Sequence, residues 1–144
     1  MRPKKVILCV NHNEQELSVL KFMLSTNGYR VFAATSGQEA VEVFSGLQVD
    51  LVLADYALPQ MGGKQLVERL KRIASHVPMV LLGDPQAMGG ELHLADALLA
   101  KKNCSAQELL ERIKVMSARK RGPRKGTVRQ AHVAAEVREL AAAS

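Results

Sequence analysis

Val49-Asp50-Leu51-Val52-Leu53-Ala54-Asp55-Tyr56-Ala57-Leu58-Pro59-Gln60-Met61-Gly62-Gly63 decides how this chain folds. An apolar run of strand length ends at a carboxylate, Asp55, and turn residues follow at once. Such a run bounded by Pro and Gly reads as a strand buried on both faces of a parallel sheet. Open α/β sheets place their sites at the carboxyl ends of strands, where Asp55 falls. A turn or helix-cap aspartate is the plainer reading of the same residue.

On either side of this stretch, strands and helices alternate. Val6–Val10 reads as strand 1, and Asn11-His12-Asn13 as its loop. Helix 1 is expected from Glu14 to Asn27, with Leu17, Leu20 and Leu24 on one stripe and Gly28 as its stop. Tyr29–Ala34 gives strand 2. Ser36 with Glu39 reads as a capping box opening helix 2, which ends at Ser45-Gly46 after Ala40, Val43 and Phe44 turn inward.

Beyond the opening stretch, helix 3 is expected from Gly63 to Ser75 with Leu66, Leu70 and Ile73 inward, and strand 4 from Pro78 to Leu82. Gly89-Gly90 argues against a long fourth helix. Ala97–Ala100 favours helix by local propensity. The capping box Ser105…Glu108 starts the next helix so soon that a strand fits better. Leu109, Ile113 and Met116 form that helix's buried face.

Five strand–helix repeats imply a doubly wound parallel α/β sheet. Right-handed crossovers and five strands point to the flavodoxin-like order 2-1-3-4-5. No Gly-rich phosphate fingerprint follows strand 1, which disfavours a dinucleotide fold.

The 144 residues suit one domain, spanning 4–116, with a tail over 117–144. Apolar residues are 47% of the chain but aromatics only 3%, so the core must be aliphatic. Cys9 and Cys104 are too few for a disulfide framework and read as reduced thiols of a cytoplasmic protein. No apolar run reaches membrane-spanning length, and Val6–Val10 is too short for a signal peptide. Residues 1–116 hold 13 Lys and Arg against 12 Asp and Glu; residues 117–144 hold 7 against 2. The basic character therefore belongs to the tail.

In the expected order, the strand ends gather Asn11, His12, Asp55, Gly83 and Lys101. A lysine facing the carboxylate would keep Asp55 ionised and nucleophilic. No Ser-His-Asp or Cys-His constellation is present, and no catalytic residue is assigned. His12 with Asp55 supplies only two ligands, short of a transition-metal site. His76 and His93 read as surface or loop residues. Asp84 and Asp96 read as turns or caps.

The chain resembles the response-regulator receiver family over residues 4–116. The features are the strand ending in Asp55, Leu58-Pro59-x-Met61-x-Gly63, Gly28-Tyr29, Gly37-x-Glu39-Ala40, Pro78 and Lys101. The resemblance implies a CheY-like phosphoryl switch rather than an enzyme. Asp55 would accept a phosphoryl group from a histidine kinase or phosphotransfer protein, Lys101 would pair with that group, and the Ala57 carbonyl would help Asp55 hold Mg²⁺.

The chain also departs from the family. Asn11 and His12 stand where receivers carry two acids, leaving a weak Mg²⁺ site at best, since that hard ion needs charged oxygens. Gly83 replaces a hydroxyl residue, Leu98 an aromatic switch residue, and Lys102 a proline whose bond is usually cis; a trans bond is expected here. The fourth helix is short. These departures suggest a degenerate, or pseudo-, receiver, and the few residues after Gly126, too few for a winged-helix or helix-turn-helix output domain, lead to the expectation that it stands alone.

Arg119–Gly126 reads as a basic linker, and Thr127 onward as an Ala-rich helix with Val133, Val137 and Leu140 on one face. This helix would pack on the domain or on a second copy as a homodimer; contact with nucleic-acid phosphates is the less favoured reading. A phosphorylation-independent protein-interaction module is the alternative function.

Overall fold

The computed structural model describes residues 4–89, 94–102 and 104–118. Five strands form one parallel sheet in the order β2-β1-β3-β4-β5. They are β1 (Val6–Val10), β2 (Arg30–Ala34), β3 (Leu51–Asp55), β4 (Met79–Gly83) and β5 (Ala97–Ala100). The helices are α1 (Glu14–Thr26), α2 (Gly37–Ser45), α3 (Gly63–Ile73), α4 (Pro85–Met88) and α5 (Ala106–Ser117). The expected doubly wound, CheY-like architecture is therefore the observed one, with a fourth helix of only four residues before the first undescribed gap. The tail from residue 119 on, where a helix is expected and His132 falls, and His93 lie outside the described residues.

Side-chain alternation along the strands builds two cores. Leu8, Val10, Val52 and Ala54 pack with Ala40, Phe44, Leu66 and Leu70 on the α2/α3 side. Ile7, Cys9, Leu51 and Leu53 pack with Leu17, Leu24, Leu109 and Ile113 on the α1/α5 side. All five residues of β3 are buried, as are all five of β4. Each fully buried Leu or Val contributes about 1.5–3 kcal/mol relative to exposure, so the central strands hold the sheet.

Several boundaries differ from the sequence reading. α1 ends at Thr26, and Asn27 becomes its cap residue. β2 begins at Arg30 rather than Tyr29. α3 stops at Ile73, because Ala74 turns extended, and Ile73 is exposed rather than inward. β4 runs from Met79 to Gly83. Pro78 stands outside it but still accepts from Val52 N–H through its carbonyl.

The two expected capping boxes also part company. Ser105 and Glu108 make both reciprocal bonds. At α2, Ser36 Oγ accepts from Glu39 N–H as expected, but Glu39 Oε1 reaches back to Thr35 N–H and Oγ instead of Ser36. No cis peptide occurs among the described residues, so Lys102 is trans as expected.

Register sets the site. Val10 lies opposite Ala54, Asp55 opposite Leu82, and Gly83 opposite Ala100. The next residues along β1 and β5 are Asn11 and Lys101, and all of them stand at one rim of the sheet.

Candidate functional site

The turn after β3 is held by backbone packing. Gly63 N–H donates to the Tyr56 carbonyl at 2.9 Å. A Cβ at Gly63 would lie 2.5 Å from the Asp55 carbonyl oxygen and 2.7 Å from Tyr56 Cα, so only glycine fits. Gly62, at φ 78°, takes the left-handed turn that lets α3 start there. The stretch from Asp55 to Gly63 thus fixes the carboxylate at the strand end.

Asp55 is 3% exposed. Its Oδ1 lies 3.3 Å from Lys101 Nζ. Its Oδ2 is buried and has no hydrogen-bond partner among the described residues. A buried carboxylate oxygen left unbonded is costly and needs a reason. Asp55, Ala57, Gly83, Asp84, Lys101 and Lys102 line a cleft of about 410 Å³ at this point.

Lys101 faces two carboxylates, not the single one expected. Its Nζ lies 2.8 Å from Glu16 Oε1, closer than to Asp55. The same Glu16 oxygen accepts from Asn11 Nδ2 at 2.9 Å. Glu16 stands in the first turn of α1, which starts at the Asn13 cap. Sequence reasoning missed it because first-turn acids are common on helix-dipole grounds alone.

These contacts shift two charges. The Lys101 and Asn11 hydrogen bonds hold the Glu16 carboxyl below the usual glutamate value despite some desolvation. Burial acts to lower Lys101, but the Glu16 hydrogen bond and the Asp55 charge outweigh it and raise its pKa.

Asn11 is buried, and His12 is exposed. Asn11 Oδ1 accepts from Asn13 N–H at 2.8 Å, so this amide oxygen is already engaged. Among the described residues no three His, Cys, Asp or Glu side chains converge as a metal-holding group. The donor set therefore falls short of what a hard octahedral ion such as Mg²⁺ needs: Asp55 Oδ2 is charged and unengaged, but the Asn11 amide oxygen is occupied, His12 is an exposed imidazole, the Ala57 carbonyl beside the cleft adds no charge, and Asp84 is taken up as the α4 cap.

Gly83 has a packing reason. A Cβ there would lie 2.7 Å from Tyr56 Cβ and 3.2 Å from Met88 Sδ. Tyr56 OH also reaches the Ala87 carbonyl at 3.4 Å, and Met88 is buried. The space that a side chain at position 83 would need is thus filled by Tyr56 and Met88. Leu98 is half-buried against the α2/α3-side core. Asp84 caps α4, as expected of a cap residue. Asp96 is more than a cap: its Oδ2 accepts from Lys71 Nζ at 2.9 Å and Met79 N–H at 2.8 Å.

The family model described as the response regulator receiver domain matches residues 7–114. The chain belongs to this family. It is a receiver domain of two-component signalling, a class of signalling modules rather than enzymes. Over 76 residues, 53% of its length, the receiver is 33% identical to the autoinducer 1 sensor kinase/phosphatase LuxN of Vibrio campbellii, and it spans 9% of that protein.

Among solved structures, a putative response regulator from Chloroflexus aurantiacus superposes with a TM-score of 0.74 at 28% identity, covering 81% of the receiver and 100% of that chain. The receiver domain of the sensor histidine kinase PA1611 of Pseudomonas aeruginosa, which has a magnesium ion coordinated in its active-site cleft, superposes at 0.72. At 24% identity, with 81% of the receiver and 100% of that chain covered, this second likeness speaks for the fold alone. No helix among the described residues is long and apolar enough to cross a membrane.

Proposed function

We propose that this receiver, over residues 4–116, is a degenerate member of its family that takes a phosphoryl group on Asp55 weakly, from a histidine kinase or phosphotransfer protein. The observation that carries this reading is Asp55 Oδ2, buried at the rim of the cleft and without a hydrogen-bond partner among the described residues. In the step, a carboxylate oxygen of Asp55 attacks phosphorus and the bond from phosphorus to the donor imidazole nitrogen breaks. The imidazole leaves with that electron pair and takes up a proton. Lys101 supplies positive charge beside the new group, which carries about −1.5 to −2 where the carboxylate carried −1.

Slow transfer follows from the donor set. Phosphoryl transfer is catalysed mainly by positioning and charge neutralisation. Here neutralisation falls to one lysine that is already shared with Glu16. Gly83 offers no hydroxyl to the product, and Leu98 no ring to reorient.

Mass spectrometry after acetyl-phosphate treatment tests the reading. An adduct of one phosphoryl group on Asp55, absent from Asp55→Asn, is expected. No adduct under any donor would favour the second reading, a phosphorylation-independent docking module, which the filled space beside Gly83 supports. In either reading the tail over 117–144, of which Ser117 and Ala118 close α5, is assigned no part in the phosphoryl step. It is proposed to pack on this domain or on a second copy, with nucleic acid the lesser alternative.

A further inference from the structure

Asn11, Glu16, Lys101 and Asp55 form one chain of contacts across the rim. Asn11 Nδ2 donates to Glu16 Oε1 at 2.9 Å, Lys101 Nζ meets that oxygen at 2.8 Å, and the same ammonium stands 3.3 Å from Asp55 Oδ1. The Asn11 amide can face only one way. Its Oδ1 accepts from Asn13 N–H, and a flip would set N–H₂ against N–H and oxygen against a carboxylate. An aspartate at position 11 could not donate to Glu16 and would repel it. Asn11 and Glu16 therefore make sense as a pair.

We propose that Glu16 is a positioning residue: a competing carboxylate that holds Lys101 partly off Asp55 and must release it before the lysine can close on a phosphoryl group there. The latch itself needs no phosphorylation; its release by Asp55 loading rests on the function proposed above. In the unmodified chain two carboxylates of equal charge share the ammonium, and the shorter contact is to Glu16. Loading Asp55 roughly doubles the charge on that side. Lys101 then moves inward, and Glu16 keeps only Asn11. Because Glu16 belongs to α1, the state of Asp55 reaches the first turn of that helix directly. Helix-dipole stabilisation alone would be served equally by Glu14 in the same turn and would require neither contact. The Glu16 and Lys101 side chains are 43% and 37% exposed. The pair thus adds little to stability, and its role lies in where it puts the ammonium.

The test compares the 144-residue chain with Glu16→Gln, which keeps shape and removes charge, following the Lys101 Nζ and Asp55 carboxyl-carbon resonances by NMR. Both resonances are expected to move, with the melting temperature near that of the parent. Unmoved resonances overturn the latch. The rate of phosphoramidate labelling of Asp55, measured with Mg²⁺ present, is expected to rise several-fold in Glu16→Gln. Equal rates with moved resonances overturn the claim that the latch restrains the reaction. If neither chain is labelled, the phosphoacceptor reading fails and with it release by loading, while the resonances still decide whether Glu16 holds the lysine.

Discussion

Two lysine–aspartate pairs stand at opposite rims of the sheet, and they are built to different standards. At the amino end of β5, Asp96 Oδ2 accepts from Lys71 Nζ and from Met79 N–H, and Lys71 also donates to the carbonyls of Ser75 and Val77. Both side chains are largely covered, at 14% and 16% exposed. At the carboxyl end, Asp55 has one long contact to a shared lysine and an oxygen with no partner among the described residues. The first pair ties α3 to β4 and β5 and engages all three donors of Lys71. The second leaves its bonding incomplete at a buried oxygen. The difference separates a closely engaged ion pair from an incompletely bonded one, as the acceptor role proposed for Asp55 would require, without any appeal to sequence likeness.

The strongest way to break this comparison is to cut the first pair. Lys71→Met should lower stability by about 3 kcal/mol, the low end for removing one partner of a buried pair, as read by urea denaturation. A loss below 1 kcal/mol would place the two pairs in one class. Next, Gly83→Thr tests whether the rim has been repacked around the missing hydroxyl. Overpacking against Tyr56 and Met88 should cost about 1–3 kcal/mol. An undiminished melting temperature would mean that the pocket still accepts a switch residue.

The counterpart of the Lys71 change is Asp55→Asn. It should alter stability by less than about 1 kcal/mol, because Lys101 keeps Glu16 and an incompletely bonded buried charge is removed. A large loss would make Asp55 structural. Smaller still is the response to Mg²⁺: millimolar metal should leave the melting temperature nearly unchanged, and a rise of several degrees would contradict the donor-set argument.

The last effect is with pH. The Glu16 carboxyl is held below its ordinary value of about 4.5, so its link to Lys101 is complete above that pH and is lost as pH falls through the lowered value. Lys101 is raised above 10.5, so its side of the link is complete below that pH and is lost as pH rises through the raised value. The Lys101 Nζ resonance should therefore be flat between the two and move at each end.

The fold was legible because the spacing of caps and turns agreed along the chain even where local propensity did not. β5 is the instructive case. Ala97–Ala100 favours helix by composition, yet the Ser105–Glu108 cap leaves no room for one, and the strand is where that spacing puts it. Asp55 and Lys101 were legible for the same reason: strand ends in a doubly wound sheet must meet. Glu16 was not. An acid in a helix's first turn carries no mark of a tertiary partner, and only the register of β1 against β3 and β4 against β5 brings Lys101 to it. The reason for Gly83 was equally hidden, since it depends on where the Tyr56 and Met88 side chains lie. Ile73 fits the apolar spacing of α3 and is exposed because the helix ends there.

The two thiols are unequal in a way that makes the rim observable. Cys9 lies in the central layer at 0% exposed, and burial pushes its pKa up to about 12, so alkylating reagents will pass it by. Cys104, partly open, borders the groove that also contains Lys101 and Glu16. Burial and Glu108 raise its pKa too, so coupling will be slow at neutral pH but confined to one atom. A single fluorophore attached there, with no engineered cysteine, would sit within sight of the lysine and brighten or dim as it moves.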